Sequence, residues 1–138
     1  MSSDHNRSPP AWTAAIGILV VAQLVLGVCF YFQRMPEWIG VIIRCAPILA
    51  ALTCSLLVSR YKLISGVLVF IPATLLEVTI NLGVQVFGAK VDLPGWRGAL
   101  VATEMAMIFN GIFCTLGALL GVWLSNERSE ETAVLHRQ

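Results

Sequence analysis

The sequence predicts an all-α membrane protein, a four-transmembrane-helix bundle, and two observations lead to this fold class. The 138 residues are 57% hydrophobic and only 12% charged, which is too little charge to cover the surface of a soluble domain. The apolar residues form four blocks, 11–32, 39–59, 63–88 and 98–124, and each reaches the roughly 20 residues that a helix needs to cross about 30 Å of hydrocarbon. Barrel strands would alternate in polarity over about 10 residues, and these blocks do not.

The first two blocks are bounded by prolines and polar residues. The polar tail 1–10 ends in Pro9 and Pro10, and proline is tolerated in a first helical turn. The first block is longer than the apolar core of a signal peptide, and no small-residue cleavage site precedes Gln33. It is therefore interpreted as a retained first helix. The stretch QRMPEW leads into the second block, where Pro47 predicts a kink.

The last two blocks have similar boundaries. RYK leads into the third block, where Pro72 predicts a second kink. AKVDLPGWR leads into the fourth, which ends before the polar tail 125–138, so the predicted transmembrane domain spans 11–124. Tryptophans lie near the ends of the blocks, as is typical of the membrane interface. They are Trp12, Trp38, Trp96 and Trp123.

A short pattern, P-x-W-x-G, occurs twice, at 36–40 and at 94–98. Each copy opens a predicted helix, the second and the fourth. One interpretation is that the bundle consists of two like-oriented helical hairpins related by an axis along the membrane normal. The other is that the start of a helix at a membrane interface attracts proline, tryptophan and glycine without any repeat.

The distribution of basic residues predicts the orientation. Four spans place both termini on one side of the membrane, and the loops and tails on that side have five basic residues against three on the other. The five are Arg7, Arg60, Lys62, Arg128 and Arg137, and the three are Arg34, Lys90 and Arg97. The positive-inside rule then predicts cytoplasmic termini, in a plasma (inner) membrane. A net charge of +1 without a basic stripe predicts no nucleic-acid partner.

Charged and amide side chains interrupt the apolar blocks at one level of the membrane. From the rise of a helix, Glu77 lies about 3 Å past the midplane, Arg44 about 7 Å, Asn81 about 9 Å and Glu104 about 10 Å, all in the same half. A lone charge at the centre of a spanning helix costs about 2.5–3.5 kcal/mol on insertion scales. Because Arg44 cannot lose its proton, an ion pair with Glu77 is predicted, with Glu104 sharing the arginine or reaching the interface.

This intramembrane polar cluster has two interpretations. It is either a buried pair that fixes the register of the helices, or a site for a substrate, an ion or a proton. The state of Glu77 separates them. A transporter needs a carboxylate that water reaches, whereas a structural pair needs one that is dry and held by Arg44.

The fourth block carries small residues at helical spacing, and these predict a helix-packing face. The face comprises Ala106, Asn110, Cys114, Gly117 and Gly121. The four cysteines form no C-x-x-C pair and are interpreted as small apolar filler. Both histidines lie in the polar tails, and no nucleotide- or zinc-binding motif occurs, so no cofactor and no metal are predicted.

The short loops leave little room for an active site, so the protein is not expected to be an enzyme. Two functions are open. The sequence favours an accessory, assembly or immunity-like partner of another membrane protein or of a second copy, because the deep arginine would keep Glu77 charged. The alternative is a small oligomeric transporter or channel that uses Glu77 with Arg44. In size and span number the chain resembles small multidrug transporters, but their essential glutamate lies in the first helix, where this sequence has Gln23. That family is therefore not assigned.

Overall fold

The computed structural model describes residues 8–31, 37–86 and 96–135, which form helices and short turns and no strand. The helices are α1 (Ser8–Tyr31), α2 (Glu37–Arg44), α3 (Ala46–Leu57), α4 (Lys62–Leu68), α5 (Phe70–Val86) and α6 (Trp96–Leu135). Three stretches are long and apolar enough to cross a membrane: Ala11–Cys29, Lys62–Gly83 and Trp96–Glu127. The predictions of a helical chain and of membrane-length helices are confirmed for these three.

The second predicted span, 39–59, is not one unbroken helix. It divides into α2 and α3 at Cys45. Pro47 has no N–H to donate, and its ring collides with the carbonyl of Ile43 in a regular helix. The chain adapts without losing its hydrogen bonding, since the Cys45 N–H lies 3.2 Å from the Val41 oxygen and 3.1 Å from that of Ile42. The apolar helix here is Val41–Leu57, which is shorter than the other three.

The third predicted span divides in the same way, at Val69 between α4 and α5. This residue lies one turn before Pro72, whose ring displaces the carbonyl of Leu68. Val69 keeps a helical backbone, with φ −58 and ψ −21, and its oxygen accepts from the Ala73 N–H at 3.1 Å. Both prolines that predict a kink therefore follow a break between two helices, Pro47 two residues after Cys45 and Pro72 three residues after Val69.

A tight turn joins α3 to α4 and reverses the chain. Tyr61 closes it with a left-handed backbone, φ 54 and ψ 39. The Ser55 hydroxyl donates to the Lys62 carbonyl oxygen at 2.9 Å, and the Lys62 ammonium donates to the Ser125 hydroxyl. The turn therefore lies at the same end of the bundle as the C-terminal part of α6.

The helix α6 is the centre of the packing, since α3, α4 and α5 all lie against it, while α1 packs on α3 and α5. The interior consists mainly of small side chains. They are Ala11, Ala15, Leu19, Ala50, Ala51, Cys54, Val58, Val69, Ala73 and Cys114. Large apolar side chains such as Leu75 and Ile108 lie on the outside, which suits a protein surrounded by hydrocarbon, where small residues allow helices to approach closely.

The contact between α3 and α6 uses three residues of the predicted helix-packing face, Cys114, Gly117 and Gly121. A Cβ added to Gly117 would overlap the carbonyl oxygen of Ile48, and one added to Gly121 would lie 2.7 Å from the Ser55 Cβ. Cys114 is also buried against α3, with its sulfur 3.7 Å from the Pro47 oxygen. The glycines are thus positions where the backbones of two helices come close together.

The first and last helices extend into the predicted polar tails 1–10 and 125–138. The helix α6 continues to Leu135, so most of the predicted polar tail 125–138 is helical. The repeated prolines Pro36 and Pro94 and the basic residues Arg7, Arg34, Lys90 and Arg137 lie outside the described residues. The predicted hairpin repeat is therefore not tested by the described helices.

Candidate functional site

A cavity of about 390 Å³ lies between α1, the α2–α3 junction, α5 and α6. Its polar lining residues are Gln23, Arg44, Glu77, Asn81 and Asn110, and its apolar wall includes the rings of Phe109 and Phe113. The volume falls within the roughly 300–1,000 Å³ of sites that hold small molecules. These five polar residues come from stretches that are otherwise apolar, and the cavity brings them together.

Three of the four residues of the predicted intramembrane polar cluster meet in this cavity: Arg44, Glu77 and Asn81. On α5, Glu77 and Asn81 share one face because they are one turn apart. Arg44 is the last residue of α2, just before the interruption caused by Pro47. The common depth predicted for these three residues therefore corresponds to a common cavity.

Glu104 does not join the cluster. It is exposed on α6 and does not line the cavity. The wall residues of α6 form a stripe that includes Ala102 and Ala106, and Glu104 points about 200° around the helix from each of them. Glu104 was predicted to lie at a depth similar to that of Glu77, but its direction around the helix axis separates the two side chains.

Glu77 is held by an amide and not by the predicted arginine. The Asn110 side chain donates from Nδ2 to the Glu77 carboxylate at 2.9 Å, and the same nitrogen lies 3.5 Å from the Thr74 hydroxyl. Arg44 and Glu77 form no ion pair, since no nitrogen of one lies within 4.0 Å of an oxygen of the other. An amide satisfies the carboxylate without the desolvation of a second charge. Asn110, predicted as a packing residue, is therefore a partner of Glu77.

Gln23 is the polar residue that the sequence prediction left out of the cluster. Its side chain is 6% exposed, and its buried Oε1 has no hydrogen-bond partner among the residues that the structure describes. Such groups are rare in folded proteins, because an unsatisfied buried oxygen costs about 1–3 kcal/mol. The sequence signal for Gln23 is a lone amide within a long apolar helix, which is the same signal that marks Asn110.

The cavity combines a hydrogen-bond donor of fixed positive charge with acceptors that can take further hydrogen bonds. Arg44 supplies the donor, while the Glu77 carboxylate and the Gln23 oxygen supply the acceptors. Such an arrangement can bind a polar molecule or ion by charge and hydrogen bonds. No group of three histidine, cysteine, aspartate or glutamate side chains within the described ranges is placed to hold a metal ion.

Comparisons with protein-family models, with curated proteins and with solved structures find no match to this chain. The geometry of the cavity is therefore the basis for assigning a function.

Proposed function

We propose that the chain is a non-catalytic, four-span integral membrane protein that acts as a small transporter or channel, with Glu77 and Arg44 in contact with the solute. One observation carries this proposal: the two charged side chains line one cavity without pairing with each other. A structural pair requires Glu77 to be held by Arg44. Because the carboxylate is held by Asn110, the guanidinium remains available to a ligand.

A bundle of four spans requires α2 and α3 together to form one span, the second along the chain. Residues 37–57 remain joined by hydrogen bonds across Cys45, and a 21-residue helix at 1.5 Å per residue is about 30 Å long. The contact between Lys62 and Ser125 supports four spans, because it brings the α3–α4 turn to the end where α6 leaves the membrane.

The orientation of the bundle follows from the charge count. Residues Arg60, Lys62 and Arg128 belong to the side with more basic residues, so we expect both termini to be cytoplasmic. A phosphatase or fluorescent reporter fused after Gln138 should give a cytoplasmic signal in cells. A periplasmic or lumenal signal would contradict both the orientation and the assignment of the sides.

Water should reach the cavity if it is a transport pathway. In a background with the four native cysteines replaced by alanine, we expect the Asn81→Cys thiol to react with a membrane-impermeant thiosulfonate. A thiol reacts as its thiolate and needs water to ionise. If the cavity is a transport pathway, water reaches it from both sides of the membrane, so reaction should occur in both right-side-out and inverted vesicles. The matched control is Leu82→Cys, at nearly the same depth, where the native side chain is 43% exposed on the outside of the bundle. It should react far more slowly.

The outcomes of this labelling separate the candidate functions. Reaction from both faces supports a transport pathway. Reaction from one face only would indicate a binding cleft without transport, and no reaction from either face would contradict the proposal.

The accessory-partner function remains a second candidate because of Glu104. This carboxylate is exposed on α6, within the stretch Trp96–Glu127 that is long enough to span. A charge facing lipid costs about 2.5–3.5 kcal/mol on insertion scales, and a basic residue on a partner helix or a second copy would offset that cost. A cavity that excludes thiosulfonate from both faces would favour this function.

A further inference from the structure

We infer that the cavity between α1, α2, α5 and α6 binds a small zwitterion whose cationic end is a primary ammonium and whose anionic end is a carboxylate or a phosphate. This inference rests on the proposed function, since it takes the cavity as a solute site. It specifies the chemistry of the ligand from the groups that line the cavity.

The anionic end is assigned to Arg44. A guanidinium is always charged, and its planar array of N–H groups matches the two oxygens of a carboxylate or phosphate. In this cavity the guanidinium makes no ion pair with Glu77. An anionic group is the ligand chemistry that best uses these donors.

The cationic end is assigned to Glu77 and Gln23. One Glu77 oxygen accepts from Asn110, which leaves the carboxylate with further acceptor capacity. The Gln23 oxygen is buried without any donor. Two acceptors on neighbouring helices can therefore take N–H groups from a ligand, and a primary ammonium has three. A trimethylated ammonium has the same charge but no N–H group.

The charge balance of the cavity favours a ligand that carries both signs. Among the described residues that line it, the charged ones are Arg44 and Glu77. A ligand with a single charge would leave one of them without an opposite charge, whereas a zwitterion compensates both. The rings of Phe109 and Phe113, whose centroids are 6.2 Å apart, provide an apolar wall for the carbon chain between the two ends.

Two sources have this chemistry, a free amino acid and the head group of phosphatidylethanolamine, and the experiment has one arm for each. In the first arm, calorimetry on the purified full chain in detergent uses ω-amino acids from glycine to 6-aminohexanoate. Each is compared with its N,N,N-trimethyl analogue and with the matching amine and carboxylate alone. In the second arm, native mass spectrometry measures lipid retention from nanodiscs that contain phosphatidylethanolamine and phosphatidylcholine in equal amounts.

We expect the best-fitting zwitterion to bind about 10- to 100-fold tighter than its trimethyl analogue, as for the loss of hydrogen bonds to a charged group. If the lipid is the source, phosphatidylethanolamine should be retained over phosphatidylcholine. Equal binding of primary and trimethylated ligands in both arms would overturn the inference. Tighter binding of the amine alone or the carboxylate alone would also overturn it.

Variants identify the groups responsible. Gln23→Leu should reduce the preference for the primary ammonium without lowering the midpoint of thermal unfolding, because the oxygen that it removes has no partner in the protein. Arg44→Met should abolish the preference for the zwitterion over the amine. Leu24→Met, at a neighbouring outward-facing position of α1, should change neither preference. A loss of preference in Leu24→Met equal to that in Gln23→Leu would overturn the assignment.

The failure of this inference differs from the failure of the proposed function. If Asn81→Cys is labelled from both faces but no zwitterion binds in either arm, transport of another solute stands and the inference is overturned. If the zwitterion binds with the expected preference but labelling occurs from one face only, the inference stands and transport is contradicted.

Discussion

Replacing Gly117 with alanine is expected to force α3 away from α6 and to lower the free energy of unfolding by about 2–3 kcal/mol, as for an overpacked interior. The added methyl group would overlap the carbonyl oxygen of Ile48 and would lie 3.1 Å from the Cβ of Ala51. A backbone carbonyl cannot rotate aside as a flexible side chain can, so the helices themselves must move. Unfolding by denaturant titration in one detergent measures the loss.

The matched control is Gly111→Ala, in the same helix and with the same change of side chain. A Cβ at Gly111 meets nothing within 4 Å. This variant should be neutral or more stable by up to about 1 kcal/mol, because alanine is the better helix former. Equal losses at the two positions would show that the effect does not come from contact with α3.

Replacing Asn110 with leucine is expected to remove about 1.5–3 kcal/mol from the free energy of unfolding, the range for hydrogen bonds to charged groups. The amide is 4% exposed and donates to the Glu77 carboxylate at 2.9 Å. Leucine has a similar branched shape but no donor, so the carboxylate would lose its partner in the protein. Unfolding of the variant in the same detergent provides the measurement.

Two further variants test this explanation. Asn81→Leu makes the same change in the same cavity, at a side chain for which the structure shows no hydrogen bond, and should cost much less. Adding Glu77→Leu to Asn110→Leu should recover part of the loss, because the charge without a donor is then gone. Additive losses in the double variant would indicate that Asn110 stabilises the bundle by some other contact.

The helical class and three helices of membrane-spanning length could be predicted from the sequence, because long apolar blocks satisfy their backbone hydrogen bonds in hydrocarbon as helices. The positions of the interruptions were also predictable, since Pro47 and Pro72 cannot complete the hydrogen bonds of a helix. The division of the second predicted span into α2 and α3 could not be predicted, because hydropathy does not distinguish a kinked helix from two shorter helices.

The grouping of three site residues was predictable from their levels along the helices, but their directions around the helix axes were not. Rise per residue placed Arg44, Glu77, Asn81 and Glu104 at similar levels, and three of them line one cavity. A helix that is apolar on every side has no polar face to show which way it turns, so Glu104 could not be separated from Glu77 beforehand. The contact of Asn110 with Glu77 depends on that same rotation.

The small side chains in the interior of the bundle reduce the conformational entropy that is lost when the helices pack together. Alanine and glycine have no rotamers to lose, so bringing α3 against α6 through Ala51 and Gly117 restricts little side-chain motion. The larger side chains, such as Leu75, 63% exposed, and Ile108, 58% exposed, remain on the outer surface, where they are free to change rotamer. Association of these helices therefore retains side-chain disorder that a leucine-filled interior would have to give up.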